Sequence, residues 1–154
     1  MKIEIRLDKE FKAFKGQPER ITQTFLELSS EELTTQIKKK TPVDYGKLRG
    51  SWTPKLTKDK LVVSNSRNYA LFVEKGTGIF STGGRHRIFP KNAKAMKATI
   101  NGEVRFFTNS RGQPGKHMAE KGFMEYRKKI PNLFRQSVAK NSGGKTWVDT
   151  MLTW

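Results

Sequence analysis

The sequence predicts an α+β fold: a mostly antiparallel sheet packed on one face by a long N-terminal helix and a C-terminal helix. Three observations carry this expectation. Ile3, Ile5 and Leu7 alternate with charged residues at the period of a strand. From Glu19 to Lys40, Ile21, Phe25, Leu28, Leu33 and Ile37 recur at three-to-five spacing, which is one buried stripe of an amphipathic helix. Further on, short runs suited to strands are punctuated by glycine, asparagine and proline before the pattern turns helical again.

The elements follow in order. Residues 2–8 read as a strand, and Gly16 and Pro18 then punctuate the chain. The long helix ends before Pro42, because a proline pushes Thr41 out of helical geometry. Lys38, Lys39 and Lys40 close it, where cations complement the helix dipole. Residues 51–57 and 60–66 form a hairpin around Lys58 and Asp59. Residues 67–75 place Tyr69, Phe72 and Val73 at helical spacing, with Gly76 as the cap. Residues 76–85 are a glycine-rich loop. Arg87–Lys91, Met96–Asn101 and Val104–Thr108 read as three strands, the last two joined by the two-residue turn Asn101-Gly102. Residues 109–116 are a second loop. Residues 118–130 and 131–140 read as two helices, with Pro131 in the first turn of the second. The expected organisation is one domain over 1–140, then a glycine linker and apolar tail over 141–154.

Composition narrows the function. There is no cysteine in the 154 residues, so disulfides, thiolate metal sites and cysteine nucleophiles are excluded. No apolar run approaches the roughly 18–20 residues of a membrane span, and the N-terminus lacks the apolar centre of a signal peptide. The simplest expectation is a soluble protein made and kept inside a cell, with no membrane partner. Lysine and arginine total 31 against 14 acidic residues, a formal net charge of +17. That balance attracts polyanions or acidic protein surfaces, although the charge is scattered along the whole chain.

A search for chemistry returns little. His86 and His117 have no second ligand at metal spacing. No serine lies in a nucleophile elbow, and Glu31-Glu32 is the sole acidic doublet, with one of the two facing solvent. Gly143-Gly144-Lys145-Thr146 resembles the end of a phosphate loop, but the motif's first glycine is replaced by Ala139. Gly76-Thr77-Gly78 is half of a dinucleotide fingerprint, and Ser81 stands where its third glycine belongs. The expectation is a protein that is not an enzyme and carries no catalytic, cofactor or metal site. Arg105, Phe106, Phe107 and Arg111 approximate the basic and aromatic interleaving of nucleic-acid binders, as do Tyr126, Arg127, Lys128 and Lys129. On a strand Phe106 and Phe107 point to opposite faces, so at least one of them is expected in the core. A basic nucleic-acid-binding protein is therefore the alternative reading.

Four motifs stand in order: Thr41-Pro42-Val43-Asp44-Tyr45-Gly46-Lys47-Leu48-Arg49-Gly50-Ser51-Trp52; Tyr69-Ala70 with Val73-Glu74-Lys75-Gly76-Thr77; Pro90-Lys91-Asn92-Ala93-Lys94-Ala95; and Gln113-Pro114-Gly115. Together, over roughly residues 20–140, they resemble the tail-component family of tailed bacteriophages, also called the gene-product-ten or neck-protein family. Tyr45 replaces that family's threonine and Lys47 its first arginine, while Asp44 remains able to cap a following turn. Phe123-Met124 matches the opening of the family's C-terminal helix, with Gly122 in place of its proline.

The resemblance implies a structural virion protein of the neck or tail-completion region. Such a protein acts in head–tail joining by oligomeric assembly, with other phage neck, head-completion and tail proteins as partners. It implies a homo-oligomeric ring when assembled, proximity to DNA, assembly in the host cytoplasm and residence in the virion. The interface candidates are Gly76, Thr77, Gly78, Arg85 and Arg87 in the glycine-rich loop, and Trp147, Met151, Leu152 and Trp154 in the tail. Glycines let one backbone approach another closely. Trp147, Val148, Met151 and Leu152 share one face of a short helix that ten residues cannot bury alone.

Overall fold

The computed structural model describes residues 3–6, 19–57, 60–81 and 86–141. These residues group into two compact units: one reaches up to Asn68 and resumes at Met118, and the other runs Tyr69–His117.

In the first unit, β1 (Ile3–Arg6), β2 (Trp52–Thr57) and β3 (Lys60–Asn65) form an antiparallel sheet in the order β1-β3-β2. The register sets Ile5 opposite Val63, Trp52 opposite Asn65 and Leu56 opposite Leu61. The central strand shows the period of two that pleating imposes: Leu61, Val63 and Asn65 are buried, while the residues between them are not. Pro54 lies on β2, an edge strand, where its missing N–H costs no ladder bond. The expected turn at Lys58-Asp59 lies outside the described residues.

Helix α1 (Glu19–Lys40) packs on β2 and β3 with one side and on the C-terminal helices with another. Phe25, Leu33 and Ile37 are buried as the stripe requires; Leu26, Ser29, Thr34 and Gln36 are buried too, whereas Ile21 and Leu28 are half-buried. A helix covered on two sides needs more than one stripe. Helices α4 (Met118–Arg127) and α5 (Ile130–Asn141) pack principally along α1. Gly122 permits this approach, since a Cβ there would stand 2.6 Å from the Ile37 Cα. Phe25 and Phe134 meet in a T-shaped arrangement, with ring centroids 6.1 Å apart. The chain turns after α4, with Lys129 N–H donating to the Tyr126 carbonyl at 2.8 Å, and Pro131 sits in the first turn of α5. One ion pair ties α1 to this turn. Lys129 Nζ lies 2.6 Å from Glu32 Oε1, which also accepts from Gln36. These two hydrogen bonds, Lys129's first, hold the Glu32 carboxyl below the ordinary glutamate range.

The motif around Thr41–Trp52 forms the corner between α1 and β2. Its helical turn, α2 (Lys47–Gly50), plugs Leu48 into the core. Gly46, at φ 72°, is the N-cap, and no side chain caps the turn, so Asp44 does not take the expected capping part.

In the second unit, α3 (Ala70–Lys75) ends at Gly76, as expected from sequence. A short 3-10 turn follows at Gly78–Phe80. β4 (Met96–Ile100) and β5 (Glu103–Phe107) form a separate two-stranded ribbon. Its turn, Asn101-Gly102, has φ of 53° and 83°, the positive pair that a tight hairpin needs. The fold is α+β with a long N-terminal helix and C-terminal helices, but its strands divide between two small antiparallel sheets. The strand expected over Arg87–Lys91 is a single bridge between Ile88 and Ser110. Pro90 has no N–H with which to extend that ladder.

Candidate assembly surface

The glycine-rich loop is a clasp. Its first arm, from Gly76 to Ser81, lies against a second arm from Arg111 to Gly115. Thr77 N–H donates to the Gln113 carbonyl at 2.8 Å, and Ile79 N–H to the Arg111 carbonyl at 3.0 Å. The Gln113 N–H donates back to Thr77 Oγ1 at 3.0 Å. Lys116 and His117 N–H groups then donate to the Val73 and Glu74 carbonyls, satisfying acceptors that the end of α3 leaves open.

The close backbone approach anticipated for Gly76, Thr77 and Gly78 is thus made within the chain. A Cβ on Gly78 would run into the Arg111 carbonyl, and one on Gly112 into the Thr77 carbonyl. Both residues have positive φ, 60° and 86°. Side chains are excluded there by contact and by conformation alike.

Arg87 is held at the surface: its Nη1 donates to Asn109 Oδ1 at 2.7 Å. Beside it, Ile88 and Ser110 exchange two backbone bonds of 2.8 and 2.9 Å. Arg85 lies outside the described residues, as do Trp147, Met151, Leu152 and Trp154. Of the sequence candidates, Gly76, Thr77 and Gly78 lie in the clasp, and Arg87 lies beside the Ile88–Ser110 bridge.

The second unit differs from the first in what it buries. Among its described residues only Ala70, Glu74 and Gly76 are buried, so no large apolar side chain is hidden. Tyr69, Phe72, Phe80, Ile88, Phe89, Ile100, Val104 and Phe106 are all exposed. Its sole carboxylates in sequence are Glu74 and Glu103, against Lys75, Arg87, Lys91, Lys94, Lys97 and Arg111 among others. Glu103 is engaged, 3.0 Å from Arg105. The result is a strongly basic surface studded with aromatic residues; aromatic side chains are enriched at the centres of protein interfaces, and charged ones stand at their rims. Sequence reasoning placed at least one of Phe106 and Phe107 in a core; Phe106 is exposed and Phe107 is half-buried.

Among the described residues no three of His, Asp or Glu come together as metal ligands, and no helix is long and apolar enough to cross a membrane. Compared with known proteins, residues 5–76 match the family described as "Bacteriophage HK97-gp10, putative tail-component". The match covers just under half of the chain, from β1 to the end of α3, and includes the first motif and most of the second. No curated protein and no solved structure matches.

Proposed function

With residues 5–76 belonging to the HK97-gp10-like family of bacteriophage tail components, we propose that the protein is a non-enzymatic virion part acting where head and tail are joined. The observation that carries the reading is the family match to this segment. The exposed aromatic and basic side chains of Tyr69–His117 support it, because such surfaces are covered when proteins assemble.

The mechanism is contact. Successive copies pair through heterologous surfaces that close into a ring. Charge complementarity between basic loops and acidic partners speeds docking and sets its order. Its partners are neck, head-completion and tail proteins, and it joins them in the host cytoplasm before residing in the virion. The tail residues Trp147, Met151, Leu152 and Trp154 add apolar anchors for a neighbour.

Electron microscopy of a lysate made without this protein tests the reading. Filled heads and separate tails are expected. Tailed particles at normal numbers would contradict it.

A further inference from the structure

Among the described residues, nothing accounts for one side of the β4–β5 ribbon. Directly opposed residues of antiparallel strands share a face. Lys97 opposes Phe106 and Thr99 opposes Val104, so these four line one face; Ala98, Arg105, Ile100 and Glu103 line the other. Phe106 is 68% exposed and Val104 52%. Among the described residues no other helix or strand makes more than incidental contact with the ribbon. A lone two-stranded hairpin is marginal in water, yet this one projects a phenylalanine and a valine into solvent side by side.

We propose that the Phe106 face docks on a partner protein in the particle, onto a surface that is apolar at its centre and ringed by carboxylates. This rests on the virion reading above. Charge selects the occupant. Lys97 lies on the face itself, and Lys91, Lys94 and Arg111 are exposed in the same unit. A second copy presenting its own basic Tyr69–His117 unit would bring repulsion to this face, so contacts between copies use other surfaces. Nucleic acid fits less well: Val104 offers no ring for a base to stack on, and Arg105 points its charge to Glu103 on the opposite face. Phe106 is then the anchor, Val104 and Thr99 its flanks, and Lys97 the start of a basic rim.

The test uses phage particles assembled without this protein as the probe, and measures binding of labelled, purified full-length protein to them. Phe106→Ser with Val104→Thr keeps strand-compatible residues at exposed positions, so thermal unfolding should match the wild type. Lys97→Glu is the second variant. The double variant should bind on the order of tenfold more weakly or worse, and Lys97→Glu should slow association, most at low salt. Variants that bind as the wild type does would overturn the proposal. So would unchanged particle binding accompanied by lost binding to a DNA duplex, which would assign the face to nucleic acid. Wild-type protein that fails to bind the particles at all would instead sink the virion reading, and this proposal with it.

Discussion

Trp52 and Thr41 are joined by a buried hydrogen bond, with Trp52 Nε1 donating to Thr41 Oγ1 at 2.9 Å. Thr41 Oγ1 in turn donates to the Ile37 carbonyl at 2.7 Å. One hydroxyl therefore satisfies an open carbonyl in the last turns of α1 and the indole of the first residue of β2. Asn65, opposite Trp52 in the sheet, completes the corner: its Nδ2 donates to the Leu48 carbonyl at 2.9 Å. This gives the Thr41–Trp52 motif a physical purpose. It fixes the angle between helix and sheet.

Thr41→Val removes that hydroxyl at nearly constant shape and leaves the buried indole N–H without its acceptor. A loss of about 1–3 kcal/mol is expected in urea unfolding, and Thr41→Ser should recover most of it. A Thr41→Val protein as stable as the wild type would remove the corner's proposed role.

Two hydroxyls on α1, Ser29 Oγ and Thr34 Oγ1, are buried without a hydrogen-bond partner. Ser29→Ala removes one and improves helix propensity at the same time. Stability should stay level or rise by about 0.5–1 kcal/mol, read from the shift in denaturation midpoint. A clear loss would mean that the hydroxyl is satisfied after all.

Gly112→Ala and Gly50→Ala form a contrasting pair. Position 112 has φ of 86° and meets the Thr77 backbone, whereas a Cβ at position 50 meets nothing within 4 Å. Gly112→Ala should open the clasp, and hydrogen exchange at the Thr77 and Ile79 amides should lose its protection. Gly50→Ala should leave those amides alone and stabilise by about 0.4–1 kcal/mol through the unfolded chain. Equal protection in both variants would contradict the clasp.

The Glu32–Lys129 pair gives a pH signature of definite sign. The folded Glu32 carboxyl titrates below its ordinary value of 4.5, chiefly through the Lys129 hydrogen bond. Its contribution is present above the unfolded pKa and is lost as pH falls through the folded one. Lys129 is 48% exposed, so solvent screening keeps the contribution below about 1 kcal/mol. Glu32→Gln should be slightly less stable than wild type at neutral pH, and the gap should close as the solution is acidified below the usual glutamate range. A gap that widens in acid would reverse the assignment.

Periodicity made α1, the β2–β3 pair, α3, the β4–β5 ribbon and the α4–α5 break legible, because spacing and punctuation are local properties. What stayed hidden depends on distant chain. Leu26, Ser29 and Gln36 are buried because α1 is covered on two sides, by the β2–β3 strands and by α4 and α5, which no single stripe announces. Ile88 forms one bridge in place of a strand because Pro90 cannot continue the ladder. Gly78 and Gly112 were readable as loop glycines, but not as each other's reason for being glycine. Phe106 and Phe107 were expected to face opposite ways with at least one of them in the core; that neither is buried required knowing that, among the described residues, no layer covers the ribbon. Gly46, and not Asp44, starts α2, since turn geometry there is set by a positive φ that several residue types mimic in sequence.

The central claim is that this molecule works by being built in, and a titration decides it most directly. Particles assembled without the protein are mixed with increasing amounts of purified wild type, and infectious titre is measured. A structural part is consumed, so titre should climb in proportion to added protein and stop rising at a fixed number of copies per particle. Full restoration by far fewer molecules than there are particles would mean that the protein acts and leaves, as a catalyst does, and the account would be wrong.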